Sequence, residues 1–147
     1  MHTIEIHELA EVTDEHVAAF ARLLPQLSSN AKPLERETIE RIMRHDACVI
    51  LIATNGEGLI VGALTLVVFP LPTGVRARIE DVVVDEAARG EGVGAALTDA
   101  ALSMANARGA RTVDLTSRPS REAANRLYRR LGFVERDSRV YRYEFQA

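Results

Sequence analysis

The chain has 147 residues, of which 47% are hydrophobic and 27% are charged, and its net charge is −3. This length supports one domain with a substantial core, so we expect a single domain over residues 1–147. No stretch approaches the roughly 18 consecutive apolar residues of a membrane helix, and no signal peptide is visible, which favours a cytoplasmic protein without a membrane partner. The single cysteine, Cys48, excludes an internal disulfide and a thiolate zinc module, and the scattered histidines lack ligand spacing, so no metal site is expected.

Hydrophobic periodicity predicts one strand and two helices in the first 45 residues. Alternation of apolar and polar residues predicts a strand over His2–Leu9. Apolar residues at helical spacing predict a helix over Asp14–Leu24, which Pro25 would end. A second helix is predicted over Leu34–His45.

Three strands are predicted in the next 40 residues. A continuous apolar run over Cys48–Ala53, an Asn-Gly turn signal and a second β-rich run over Leu59–Phe69 predict an antiparallel hairpin. A loop with two prolines separates this hairpin from a strand over Ala77–Val84. On that strand, the period of two places Glu80, Val82 and Val84 on one face and Ile79, Asp81 and Val83 on the other.

Helices and strands alternate in the C-terminal part. The pattern predicts a helix over Val93–Arg108, a strand over Thr112–Ser117, a helix over Glu122–Leu131 and β-like segments from Phe133 to Phe145. Strands that first meet as hairpins and later alternate with helices favour an α+β fold with a mixed, mostly antiparallel sheet flanked by helices. Residues 118–147 carry eight arginines and four acidic side chains, which suits either a basic patch for an anionic ligand or, as we favour, a solvated face.

The segment Arg89–Leu97 places three glycines where a strand ends and a helix begins. Glycines let the backbone approach a ligand closely, and the free N–H groups at the start of a helix favour a phosphate. The spacing matches neither the dinucleotide-binding glycine motif nor the P-loop, which argues against nicotinamide enzymes and NTPases. The segment therefore predicts an anion cradle, with a purely structural glycine turn as the alternative.

Two segments resemble motifs of the GNAT-type N-acetyltransferase superfamily. Arg89–Gly94, with the pattern Arg-x-x-Gly-x-Gly, is similar to the acetyl-CoA signature of that superfamily. Leu127–Phe133, with the pattern Leu-Tyr-x-x-x-Gly-Phe, is similar to a second family segment, although Arg121 stands where many members carry Asn. The resemblance implies the acyl-CoA N-acyltransferase fold, acetyl-CoA as co-substrate and an amine as acceptor.

The same resemblance implies which residues would hold acetyl-CoA. The backbone of Val82–Val84 would bind the thioester carbonyl and the pantetheine arm, which would add to the sheet like an extra strand. Asn125, one helical turn before Tyr128, would form a hydrogen bond with the same arm. The expected pyrophosphate cradle consists of Arg89, Gly90, Glu91, Gly92, Val93, Gly94 and Ala95.

Transfer of an acyl group from a thioester to an amine requires a base, a polarised carbonyl and a proton for the leaving thiolate. Because an alkyl ammonium has a pKa of about 10, removal of its proton needs help at neutral pH. Glu80, whose valine neighbours would strengthen its carboxylate as a base, is the best-placed candidate. Three alternatives stay open, namely a structural partnership of Glu80 with Arg76 or Arg78, Asp81 as the base, and proton transfer through an ordered water.

Tyr128 is the candidate for the proton donor. A phenol with an ordinary pKa of about 10 can protonate a departing thiolate, and the counterpart of Tyr128 in the family motif does so. The alternative is an amphipathic core tyrosine whose hydroxyl reaches the surface.

The sequence thus predicts an N-acetyltransferase that moves the acetyl group of acetyl-CoA directly to a primary amine of a small molecule, such as an aminosugar, an amino acid or a polyamine. A protein N-terminus or lysine is the second acceptor class. A catalytically silent CoA-binding module and an arginine-rich nucleic-acid binder are the alternatives of other classes, and no nucleic acid is expected as a partner. A homodimer is a further expectation, because small members of the family often pair.

Overall fold

The computed structural model describes residues 3–146. The chain forms two compact units, within residues 1–116 and 117–147. The first unit holds a five-stranded sheet with three α-helices, and the second holds one α-helix. A single domain over residues 1–147 stays a prediction.

The elements follow the predicted order as far as the last helix. They are β1 (Glu5–Glu8), α1 (Asp14–Leu27), α2 (Arg36–Arg44), β2 (Cys48–Thr54), β3 (Ile60–Leu71), β4 (Gly74–Val84), a short 3₁₀ turn (Glu86–Ala88), α3 (Val93–Ala107), β5 (Val113–Asp114) and α4 (Glu122–Arg130). The strands lie in the order β1-β2-β3-β4-β5, with β1 to β4 antiparallel and β5 parallel to β4. The predicted mixed, mostly antiparallel sheet of an α+β fold is confirmed.

Helix α1 begins at a reciprocal cap. The Oγ1 atom of Thr13 accepts a hydrogen bond from the backbone N–H of His16 (3.4 Å), and the Thr13 N–H donates to Nδ1 of His16 (3.0 Å). Burial and the nearby His7 lower the pKa of His16, which favours the neutral ring that can accept this bond. Two of the free N–H groups at the start of the helix are thereby satisfied.

Helix α1 does not end at Pro25, as the sequence predicts, but continues to Leu27. A proline removes one helical hydrogen bond, the one that the carbonyl of Ala21 would accept. Ala21 and Pro25 are both exposed, so water can satisfy that carbonyl. A proline in the last turn of an exposed face therefore costs too little to stop the helix.

The predicted strands at the two ends of the chain are shortened or absent. Strand β1 begins at Glu5, and His2 lies outside the described residues. Strand β5 covers two residues of the predicted Thr112–Ser117. Residues 133–146 contain no strand, so the prediction of β-like segments over Phe133–Phe145 is wrong. Apart from Phe133, the large apolar side chains of this segment are exposed, and alternation without a paired, half-buried surface does not make a strand.

The sheet of the first unit has apolar packing on both faces. On one face, Ile50, Ile52 and Val83 form a core with residues of α1 and α2. On the other face lies α3, because a Cβ built on Gly62 would be 2.9 Å from Cγ1 of Val93 and 3.1 Å from a methyl of Leu97. Gly62 thus lets α3 approach the sheet closely.

Substitution of Gly62 by alanine is expected to destabilise the protein by about 1–3 kcal/mol, since the new methyl would also lie 3.0 Å from the rigid backbone oxygen of Val83. Gly56→Ala is the matched control, because nothing lies within 4 Å of a Cβ at that turn position. Urea denaturation of both variants measures the difference. Equal stability of the two variants would contradict the close packing of α3.

Candidate active site

One extra residue interrupts the pairing of β4 with β3. The register shifts between Ala63 and Thr65, so that the intervening residue of β3 lies opposite two residues of β4, Asp81 and Val82. Asp81 has a φ of 49°, in the left-handed region that residues other than glycine rarely adopt. The feature is a β-bulge, which bends a strand and shifts its alternation by one residue.

The bulge places Val83 on the same face as Glu80. Val83 lies in the core under α1 and α2. Glu80 shares that face, because its partner Thr65 also pairs with Ile50 of the same core. The predicted grouping of Val83 with Ile79 is therefore wrong, since strict alternation does not allow for an inserted residue.

The carboxylate of Glu80 is open to solvent rather than enclosed by valines. Its side chain is 49% exposed, and its Oε1 lies 3.7 Å from Nη2 of Arg78. Arg78 also donates to Oγ1 of Thr116 at 3.3 Å. Glu80 is thus half exposed and is not enclosed by valines, and an exposed pair at this distance contributes little stability. Asp81, the alternative base, is exposed as well.

Strand β4 has an open edge beside Glu80. Strand β5 pairs with β4 only at Ala77 and Arg78. Among the described residues, no strand pairs with this edge at residues 79–84, which include the bulge and Val82–Val84. An unpaired edge presents backbone N–H and C=O groups that an extended ligand can bind as an added strand.

The predicted anion cradle forms the turn between β4 and α3. Gly90 and Gly92 both have a φ of 83°, and Gly92 is the residue before the first turn of α3. No side chain caps this helix, and within residues 3–146 the N–H groups of Val93, Gly94 and Ala95 have no hydrogen-bond partner. These three donors lie at the positive end of a 15-residue helix, an arrangement that favours an anion.

Helix α4 of the second unit carries Asn125 and Tyr128 at the predicted spacing of one turn. Nδ2 of Asn125 donates to the carbonyl of Arg118 at 3.0 Å. Tyr128 is 9% exposed, and its ring packs edge-on against Phe133 with centroids 5.7 Å apart. Burial raises the pKa of Tyr128, partly offset by the charge of Arg121, so its phenol is protonated at neutral pH.

A groove of about 710 Å³ lies between α1, the turn from β2 to β3 and the 3₁₀ turn. Its lining includes Arg22, Asp85 and Glu91. Of the residues predicted from the sequence for a site, it contains Glu91 and neither catalytic candidate.

The structure assigns the predicted residues to the two units. Glu80, Val82–Val84 and the glycine turn belong to the first unit, and Asn125 and Tyr128 share one helix of the second. The sequence reasoning missed Ser117, whose buried Oγ has no hydrogen-bond partner within the described residues. It also missed contacts of α1 with the residues just after β4, for which no local pattern gives a signal.

Residues 3–146 contain no group of three or more His, Cys, Asp or Glu side chains arranged to hold a metal ion. No helix in that part of the chain is both long and apolar enough to span a membrane.

Comparison with known proteins identifies similar sequences and folds. The sequence model of the acetyltransferase (GNAT) family matches residues 9–133. The structure of an acetyltransferase from Trypanosoma brucei is 28% identical, with a TM-score of 0.79 and coverage of 97% of this chain and 100% of that one. A comparison with curated protein sequences gave no significant match.

Two further structures share the fold at lower identity. Glucosamine-6-phosphate N-acetyltransferase from Arabidopsis thaliana is 22% identical over 96% of this chain and 98% of that one, with a TM-score of 0.79. The structure of AAC(6')-Iy in complex with the bisubstrate analog CoA-S-monomethyl-acetylneamine is 19% identical over 99% of both chains, with a TM-score of 0.77.

The left-handed backbone at the bulge is open to a direct test. Asp81→Val is expected to lower the free energy of unfolding by about 1–2 kcal/mol, because a β-branched residue is strained at this φ. Asp81→Asn is the control, since asparagine tolerates the left-handed region and is close in size. Thermal unfolding compares the two. If both variants were as stable as the wild type, the bulge would not carry this conformation.

Proposed function

Since the chain belongs to the acetyltransferase (GNAT) family, we propose that it moves the acetyl group of acetyl-CoA directly to a primary amine of a small molecule, such as an aminosugar, an amino acid or a polyamine. The family consists of acetyl-CoA-dependent N-acetyltransferases, and the prediction of such an enzyme is confirmed. The acceptor class and the site residues are our proposals. The observation that carries them is the exposed carboxylate of Glu80 beside the open edge of β4, on the strand that leads into the glycine turn.

The residues of the first unit fit the demands of acetyl-CoA. Three N–H groups at the start of α3, which have no partner within residues 3–146, and the left-handed Gly90 and Gly92 would bind the pyrophosphate, with Arg89 and Glu91 in the same turn. The open edge of β4 at Val82–Val84 would bind the pantetheine arm and the carbonyl through its backbone. When bound, acetyl-CoA supplies an activated thioester.

The transfer forms one bond and breaks another. The amine nitrogen attacks the thioester carbonyl carbon, a C–N bond forms, and the C–S bond breaks as the thiolate leaves. Glu80 takes the proton of the ammonium, directly or through a water, because an alkyl ammonium with a pKa of about 10 is otherwise charged at neutral pH. Asp81, which is adjacent and exposed, is the alternative base.

Tyr128 is proposed to give its proton to the leaving thiolate, and its phenolate would regain a proton, through solvent, from the second proton that the nitrogen loses as the amide forms. Burial raises the pKa of the phenol, which keeps the hydroxyl protonated at neutral pH. Asn125, on the same helix, would form a hydrogen bond with the pantetheine arm through its carbonyl oxygen, since its amide nitrogen donates to Arg118.

The elements around Glu80 are proposed to determine which acceptor binds. We propose that α1, α2 and the segments Pro25–Leu34 and Phe69–Arg76 determine selectivity, because elements near an open edge wall the acceptor side. A small amine is our first choice of acceptor, and a protein N-terminus or lysine is the second. The Arabidopsis neighbour is named for N-acetylation of an aminosugar phosphate, so aminosugar phosphates belong among the amines to be tested. Cytoplasmic location and a homodimer stay predictions.

Release of free thiol from acetyl-CoA, measured against a panel of amines, tests the function. We expect at least one small amine to accelerate release, and Glu80→Gln and Tyr128→Phe each to lower kcat by about 10²–10⁴-fold through loss of the base and of the acid. Glu5→Gln and Tyr141→Phe are the matched controls, because both residues are exposed and lie outside the proposed site.

Calorimetric binding of CoA separates the outcomes of this assay. Loss of turnover with unchanged CoA affinity supports the two catalytic roles. Wild type that binds CoA but releases no thiol with any amine points to a silent module, and wild type that does not bind CoA rules out the proposed cofactor site. Normal rates in either variant would remove that residue from the mechanism.

A further inference from the structure

Two side chains of α1 hold the residues at which β4 ends and the glycine turn begins. Nε of Arg22 donates to Oδ2 of Asp85 at 3.2 Å. Oε1 of Gln26 accepts a hydrogen bond from the backbone N–H of Glu86 at 2.9 Å. These contacts join residues about 60 positions apart in the chain, 63 for the first pair and 60 for the second.

Arg22 also joins this end of β4 to the start of β3. Its Nη2 donates to the carbonyl of Ile60 at 2.5 Å, while the N–H of Asp85 donates to the carbonyl of Val61 at 2.8 Å. A planar guanidinium suits such simultaneous contacts, because its donors have a fixed fork geometry. One side chain of α1 thus fixes the separation of two neighbouring strand ends.

The carboxylate of Asp85 binds both Arg22 and the backbone of the 3₁₀ turn. The N–H of Ala87 has the largest effect and lowers the pKa of Asp85; burial opposes it, and Arg22 and Gln26 add smaller effects that lower the pKa further. Asp85 is therefore charged at neutral pH and caps the 3₁₀ turn through Ala87 (3.2 Å) while it binds Arg22.

The turn that follows has no packing of its own at its glycines. A Cβ built on Gly90 or on Gly92 would meet nothing within 4 Å, so neighbouring atoms do not enforce their left-handed conformation. Glycine loses more conformational freedom on ordering than any other residue. Packing at the glycines therefore does not set the conformation of the turn; the hydrogen bond from the N–H of Glu91 to the carbonyl of Ala88 (3.4 Å) and the anchored ends, α3 on one side and the residues held by α1 on the other, support it.

We propose that Arg22 and Gln26 are positioning residues that hold the pyrophosphate-binding turn in its binding-competent conformation. They act through Asp85 and Glu86 and do not themselves contact acetyl-CoA. The proposal rests on the proposed function, since it assigns the turn at Arg89–Ala95 to the pyrophosphate. It also means that α1, which we place on the acceptor side, determines affinity for the co-substrate.

The discriminating experiment compares two acetyl donors. Acetyl-CoA carries the pyrophosphate, whereas acetyl-pantetheine has the same thioester arm without it. For Arg22→Gln and Gln26→Leu we expect KM for acetyl-CoA and Kd for CoA to rise on the order of tenfold, with kcat nearly unchanged. The kcat/KM for acetyl-pantetheine should match the wild type. Arg22→Lys should recover part of the affinity, because an ammonium can pair with Asp85 but cannot form the fork with Ile60.

Arg36→Gln is the matched control. Nη1 of Arg36 pairs with Oδ1 of Asp14 at 2.9 Å, and its Nη2 donates to the carbonyl of Val12, so it links a carboxylate and a carbonyl as Arg22 does but away from the turn. Its loss should leave Kd for CoA unchanged. Thermal unfolding of every variant verifies that the proteins compared are folded.

The outcomes distinguish this proposal from the proposed function. A parallel fall in kcat/KM for both donors, or CoA affinity equal to that of Arg36→Gln, would show that Arg22 and Gln26 only stabilise the fold and would overturn the proposal. If the wild type bound CoA without acetylating any amine, the function would fail, and the Kd values for CoA would still decide the role of the two residues. If the wild type did not bind CoA, both would fail.

Discussion

The site depends on the single inserted residue in the middle of β4. Asp81 takes a left-handed backbone conformation, and from there on the strand presents its side chains to the opposite faces. Before the bulge, Ile79 lies on the side of α3, and after it Val83 enters the core under α1 and α2. One strand thereby contributes buried side chains to both faces of the sheet, while Glu80 and Asp81 between them stay exposed. The bulge sets both where Glu80 lies and how the chain enters the glycine turn.

The glycine turn combines local freedom with anchors at its ends. Left-handed glycines leave backbone N–H groups free at the start of α3, which is what an anion needs. The same freedom would be an entropic cost to binding if nothing held the ends. Helix α1 supplies the anchor at Asp85, and it reaches Glu86 because the helix continues past Pro25 to include Gln26. If the turn binds the pyrophosphate as we propose, α1 contributes both to the acceptor side and to the co-substrate site.

Local sequence patterns predicted most of the helices and strands and the family. They did not predict the bulge in β4 or the contacts of α1 with the end of that strand, which depend on residues far apart in the chain. The α+β sheet and the motif at Arg89–Gly94 follow from periodicity and from glycines at a strand-to-helix junction. The bulge was missed because strict alternation carries no signal for an inserted residue. The enclosure of Glu80 by valines was also not found, since its side chain is half exposed. A contact between residues about 60 positions apart, such as Arg22 and Asp85, cannot be detected from any local stretch of the sequence. Tyr128 and Asn125 lie on the predicted helix, and their roles stay predictions.

The open edge of β4 also bears on how the protein avoids its own aggregation. An unpaired strand edge is a template for strands of other chains, and natural sheets protect such edges with bulges and charged side chains. Residues 79–84 have both devices, since the kink at Asp81 breaks the flat run of backbone groups and the adjacent carboxylates of Glu80 and Asp81 repel a second copy of the same acidic edge. The edge that we propose binds the thioester arm therefore also has features that discourage edge-to-edge association of copies. Neutralising both carboxylates would remove part of that protection along with a candidate base.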